Sequence, residues 1–159
     1  MMASAPTQTL AARFPMLPFA PEADRFLTAV PRMKLLEQLR ARHVGAVECI
    51  PKWFPAGLSI MDDGRFLLSF NDVNTPEQDA ESLGHELGHT FHYDLSARPP
   101  RPLLPPPEEI SDELFDLVEQ FCDAFSEAWL ARVDKELIMK AAENQREGIL
   151  RRSYILEEE

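Results

Sequence analysis

The sequence predicts an α+β fold, mainly helical, with a small antiparallel sheet packed against one central helix. Apolar residues recur at helical spacing over residues 24–43, 76–93 and 110–133. Two short apolar runs, 57–61 and 65–70, flank Asp62-Asp63-Gly64 and read as a β-hairpin. A chain of 159 residues, 45% hydrophobic and 27% charged, is long enough for one globular domain with its own core.

Residues 1–23 read as an irregular Pro-rich arm; Phe14, Leu17 and Phe19 give it apolar residues to lay on the domain. The domain itself is expected over 24–153. In its first helix Pro31 either introduces a kink or opens a second helix. Leu35, Leu36 and Leu39 form the apolar stripe, Lys34, Arg40 and Arg42 a solvated face, and Gly45 is the expected stop. The loop over 51–55 carries Trp53 and Phe54, as a core flap or a substrate-side wall. The hairpin follows, and an edge strand there could take an extended peptide by β-addition.

Thr75-Pro76-Glu77-Gln78 is a helix start. Thr75 caps, Pro76 takes the first turn, and Gln78 returns the capping bond. The helix is expected over 76–93. Ala80, Leu83, Leu87 and Phe91 line one side of its wheel and His85 and His89 lie nearly opposite. Gly84 and Gly88, each unfavourable in a helix by about 1 kcal/mol, point to close approach by another backbone. Six prolines make 97–107 a stiff connection, read as a spacer between helices rather than an SH3-type ligand. A long helix is expected over 110–133, its apolar face carrying Ile110, Leu114, Phe115, Val118, Phe121, Cys122, Phe125 and Trp129. A further charged helix over 135–152 and a frayed acidic tail over 154–159 complete the chain.

Within the central helix, residues 85–89 spell H-E-x-x-H. Histidines four apart on a helix have β-carbons about 5–6 Å apart, so two imidazoles can meet one ion. Glu86 points aside, where it reaches a water activated by the metal without being a ligand. Three of the 4 histidines fall in residues 85–92, and a chance match to the motif is roughly a one per cent event.

A zinc hydrolase needs a third protein ligand. His43 and Cys49 precede the motif with no partner pattern. His92 lies about 10 Å further along the helix than His85, too far to share its ion. It reads as a cleft-side residue, a group behind a ligand, or surface. On the acidic helix Glu113, Asp116, Glu119, Asp123 and Glu127 are available, but only Glu119 adjoins the apolar face. Glu119 is therefore the expected third ligand. Asp123, one turn later, can accept the outer N–H of a ligating histidine.

His85-Glu86-Leu87-Gly88-His89, followed about thirty residues later by E-x-x-C-D-x-F-S from Glu119 to Ser126, resembles the ImmA/IrrE family of zinc metallopeptidases. Ser69-Phe70-Asn71 is similar to the strand that leads into that family's active-site helix. The resemblance spans about residues 57–130 and implies a zincin-like fold, with His85, His89 and Glu119 holding zinc and Glu86 as catalytic base. Several members of the family cleave DNA-binding repressors. Here Cys122 and Ser126 stand where alanines are usual, Asp123 where asparagine is, and no helix-turn-helix segment is apparent.

The function expected is a zinc-dependent endopeptidase acting on a protein or peptide, with His92, Tyr93 or Tyr154 as oxyanion partner. The rivals are a binding or regulatory module stapled by structural zinc, and a hydrolase of non-peptide amides. A net charge of −11 argues against nucleic acid and an anionic membrane surface as partners. No apolar run is long enough to span a bilayer. Cys49 and Cys122 form no C-x-x-C, which fits two reduced thiols in a cytoplasmic protein. Residues 1–23 lack the pattern of a secretory signal, although their scarcity of acids leaves a short transit peptide open.

Overall fold

The computed structural model describes residues 8–51, 54–106, 108–134 and 154–156, with the side chain of Tyr154 outside that description. Three helices come first: α1 (Leu10–Arg13), α2 (Ala20–Ala29) and α3 (Leu35–Ala41), with a 3-10 turn over Val30–Arg32. Strands β1 (Val44–Ile50), β2 (Ala56–Ile60) and β3 (Phe66–Asn71) follow, then α4 (Pro76–His89) and a 3-10 turn over Thr90–His92. Two short strands, β4 (Tyr93–Asp94) and β5 (Arg101–Pro102), precede α5 (Asp112–Leu130) and β6 (Tyr154–Ile155). The mixed helix-and-sheet class agrees with the sequence.

The stretch expected to be an irregular arm is more ordered than its prolines imply. Thr9 caps α1, and both carboxylate oxygens of Asp24 accept backbone N–H groups of Leu10 and Ala11, at 2.8 and 2.9 Å. Leu10, Phe14, Leu17 and Phe19 are buried, and the rings of Phe14 and Phe19 meet Phe121 edge-on. Pro21 sits in the first turn of α2, where its missing N–H costs nothing. The helix therefore starts at Ala20 rather than near Asp24. Pro31 falls in the 3-10 turn that ends it, and α3 then starts at Leu35.

The main sheet has the order β2-β3-β1-β6. The β2–β3 hairpin is antiparallel as expected, pairing Leu58 with Leu68 and turning at Gly64 with φ 85°. The sheet as a whole is mixed, however, because β1 runs parallel to β3. Val44-Gly45-Ala46-Val47 is buried throughout, and a strand covered on both faces shows no polar alternation. Gly45 is consequently not a helix stop. A Cβ there would come 2.7 Å from that of Arg65, and the left-handed turn between α3 and β1 is made by His43 at φ 61°.

At the far end, Tyr154 and Ile155 pair with β1, Leu156 is buried, and its N–H donates to the Gly45 carbonyl. These residues are thus part of the sheet rather than a frayed tail. Residues 157–159, the expected helix over 135–152, and Lys52 and Trp53 lie outside the described residues.

The central core is aromatic. Phe66, Phe70, Phe91, Phe121, Phe125 and Trp129 are fully buried, and Trp129 donates its indole N–H to the buried Gln38 side chain at 2.7 Å. Helix α4 packs against both α5 and the β2–β3 hairpin, so the H-E-x-x-H segment lies between a helix and a sheet. Among the described residues, no helix is long and apolar enough to cross a membrane.

Candidate metal centre

Thr75 opens α4 with the reciprocal cap its sequence calls for: Gln78 N–H donates to Thr75 Oγ1 and Thr75 N–H to Gln78 Oε1. From that start Ala80, Leu83 and Leu87 turn into the core while His85 and His89 remain about a quarter exposed. The two glycines between them bring α5 close. A Cβ at Gly84 would lie 2.9 Å from Ser126 Cα, and one at Gly88 would lie 3.2 Å from Cys122 Cα. Ser126 locks the contact by donating its hydroxyl to the Glu81 carbonyl at 2.9 Å.

This register sets Glu119 and Asp123 opposite the histidine pair. His85 Nε2 lies 3.1 Å from His89 Nε2 and 3.0 Å from Glu119 Oε2, while His89 Nε2 lies 3.8 Å from that oxygen. Ligand atoms at the corners of a tetrahedral zinc site with 2.0–2.1 Å bonds are about 3.3–3.4 Å apart, so this donor set fits such an ion. Each imidazole also has a partner behind it. Asp123 Oδ1 is 2.9 Å from His85 Nδ1, and His92 Nδ1 is 3.4 Å from His89 Nδ1. The Asp123 carboxylate favours hydrogen on His85 Nδ1, which turns the His85 Nε2 lone pair toward His89 and Glu119, whereas in the His89–His92 contact either Nδ1 can be the donor. With hydrogen on His89 Nδ1 as well, two imidazole lone pairs and a carboxylate oxygen would face one point, an arrangement that a cation stabilises.

Cys122, read from the sequence as a reduced thiol on the apolar face of α5, is a further possible donor. His85, His89 and Cys122 each offer a donor atom, all within 4.8 Å of one another, and this group could hold a metal ion. Its sequence signal was its place three residues after Glu119, on the same side of α5. Burial first, and the nearby Glu119 next, raise its thiol pKa well above the usual range. Its Sγ is also 3.7 Å from His92 Nε2. Neither His43 nor Cys49 belongs to the cluster.

His92 is not a surface residue: it is 6% exposed, its ring tilted against those of Phe19 and Phe121. Its position follows from an early end to α4. The helix was expected to reach Tyr93, but after His89 it tightens into the 3-10 turn, where Thr90 donates to the Leu87 carbonyl at 2.6 Å. Arg42 Nε donates to the same hydroxyl at 2.9 Å, and its guanidinium lies 3.6 Å from the Phe91 ring centre. Arg42 is therefore buried, not part of a solvated face. With one ring nitrogen toward His89 and the other toward Cys122, His92 is placed behind a histidine rather than at an oxyanion.

Electrostatics separate the remaining groups. Burial, reinforced by His85, pushes His89 down to about 4, and burial with His89 pushes His92 down to about 3. Both are neutral at neutral pH. Glu86 is 8% exposed, and its carboxyl is pushed up to about 7, mainly by burial, with His85 opposing and Glu119 adding to the rise. Tyr93 packs its ring on Phe66, and burial raises its hydroxyl. Tyr154 has its backbone in β6.

Two openings meet at this cluster. One, about 400 Å³, is bordered by Ala56, His85, Glu86, Glu119 and Asp123. The other, about 690 Å³, shares Glu86 and His89 but is otherwise mostly apolar. Pro102, Leu104, Pro105 and Pro106 wall it, so the proline segment is more than a spacer. It is anchored by the β4–β5 pair and by Leu103 N–H donating to the His92 carbonyl at 2.7 Å. Comparison with models of known protein families, with curated proteins and with solved structures gives no match.

Proposed function

We propose that the chain is a zinc-dependent endopeptidase, with His85, His89 and Glu119 as metal ligands and Glu86 as general base. The observation that carries this reading is the convergence of two imidazole nitrogens and one carboxylate oxygen within 3.8 Å, beside a buried carboxyl. When bound, zinc supplies a Lewis acid that polarises a carbonyl and acidifies water. The protein's own groups do the rest. Asp123 and His92 hold the two imidazoles in register from behind. Glu86, with a pKa drawn toward neutrality, takes a proton from water and returns it to the leaving amine. Tyr93, at the rim of the larger cavity, is the candidate donor to a developing oxyanion.

A peptide substrate is favoured over another amide because β2 ends the sheet order beside the cluster, where an extended chain could pair with it. The resemblance of residues 85–89 and 119–126 to the ImmA/IrrE metallopeptidases supports the same assignment and brings a regulatory protein such as a repressor into the substrate class. Two free thiols favour a cytoplasmic setting. The test is zinc content and peptide cleavage of the wild type beside Glu119→Ala and Glu86→Gln. Glu119→Ala is expected to lose zinc, and Glu86→Gln to keep it while losing turnover. Unchanged zinc in the first or full activity in the second refutes the assignment.

One observation favours a second reading, a structural metal held by His85, His89 and Cys122 without turnover. Cys122→Ser would then release the metal and Glu119→Ala would not.

A further inference from the structure

The larger cavity extends from the proposed catalytic groups into an apolar part that the catalytic assignment does not use. Glu86 and His89 line it at the histidine cluster, and Leu58, Leu104, Ile110 and Phe115 are among its apolar lining residues. Phe115 stands on the outer part of α5 and is 52% exposed, a large ring turned to the cavity and solvent instead of the core. The sequence placed it on the buried face of the helix; in the structure it faces the opening.

The strand β2 relates this cavity to the histidine cluster. Ala56 borders the opening at the histidines and Leu58 lines the apolar cavity. Residues two apart on a strand share a face and are separated by about 6.6–6.8 Å. An extended chain running along β2 with its carbonyl near the histidines would therefore bring a neighbouring side chain level with Leu58.

Resting on the peptidase reading, we propose that this cavity is a specificity pocket. It receives one large apolar side chain, of Leu, Met or Phe size, from within two residues of the scissile bond. At about 690 Å³ it is large enough for such a side chain. Its apolar walls reward burial of such a side chain. Phe115 and Leu104 set the preference, because they line it from α5 and from the proline segment respectively.

The test uses the full chain loaded with zinc and a pair of hydroxamates, one carrying a leucine side chain and one carrying glycine. Affinities are measured by calorimetry for the wild type, Phe115→Ala and Leu104→Ala, beside cleavage of peptides that differ only at the residue next to the scissile bond. The leucine hydroxamate is expected to bind about 10- to 100-fold more tightly than the glycine one. In each variant that ratio should fall several-fold. Both positions are partly exposed, and circular dichroism checks that each variant is folded. Equal affinity for the two probes, or binding of neither, overturns the pocket. A clear preference with no cleavage of any peptide would sink the peptidase reading and leave the pocket standing.

Discussion

Gly84 on α4 and Ser126 on α5 are in backbone contact: a Cβ on the glycine would sit 2.9 Å from the serine Cα. No flexible side chain can give way there. Alanine at 84 would gain up to about 1 kcal/mol in helix propensity, but it must force the helices apart, at a typical cost of about 1–3 kcal/mol. The same displacement carries Glu119 and Asp123 away from His85. Gly84→Ala is thus expected to lower the urea midpoint and to weaken zinc binding more than a global loss of stability would. A variant as stable as the wild type with unchanged zinc affinity would contradict the packing argument.

Asp123 separates orientation from folding. Its side chain is largely exposed, yet Oδ1 lies 2.9 Å from His85 Nδ1. Removing it leaves the core untouched and frees the imidazole to rotate. Asp123→Ala should retain the wild-type melting temperature to within a degree or two in the metal-free protein. Competition with a chelating dye should show zinc affinity reduced about 10- to 100-fold.

Much of this site was legible because short-range chemistry dictates it. Thr75 and Gln78 announce the start of α4, H-E-x-x-H places two imidazoles one turn apart, and Gly84 and Gly88 mark the contact with another backbone. Glu119 could be singled out from five acids by its place beside the apolar face. What escaped depends on partners remote in sequence. The parallel pairing of β1 with β3 leaves no alternation in Val44–Ile50, and Gly45 looked like a stop when it is buried against Arg65. Arg42 reads as surface until Thr90, 48 residues away, and the Phe91 ring supply its environment. His92 depended on where α4 ends, which the Thr90 hydroxyl and Arg42 decide together.

That dependence makes Arg42 a test of how the turn after α4 is held. Its guanidinium donates to Thr90, lies over Phe91, and pairs with Glu22 at 3.2 Å. Arg42→Met keeps most of the aliphatic packing and removes the charge and the hydrogen bonds. A loss of about 1–3 kcal/mol is expected from the hydrogen bonds and the cation–π contact. Because the turn carries His92, the imidazole signals of His89 and His92 should also shift in the NMR spectrum. Unaltered stability together with unaltered imidazole signals would show that the turn holds itself.

Acid should destabilise the metal-free protein through two imidazoles, with one carboxyl working against them. His89 and His92 titrate near 4 and 3 when folded, against an ordinary 6.5, so the unfolded chain takes up their protons first as pH falls. Their contribution is present above 6.5 and is lost on acidification toward the folded values. Glu86, raised from 4.5 to about 7, acts oppositely: the folded protein holds a proton that the unfolded chain has released, and that contribution fades as pH rises through 7. Between 4.5 and 6.5 two protons favour the unfolded state and one favours the folded state. Stability should therefore fall on acidification through that window, on the order of 1 kcal/mol per pH unit. His43, also lowered by burial, adds in the same direction. Urea unfolding of the metal-free protein at pH 4.5, 5.5 and 6.5 measures the slope directly. A stability that rose toward pH 4.5 would mean that the imidazoles are not held neutral.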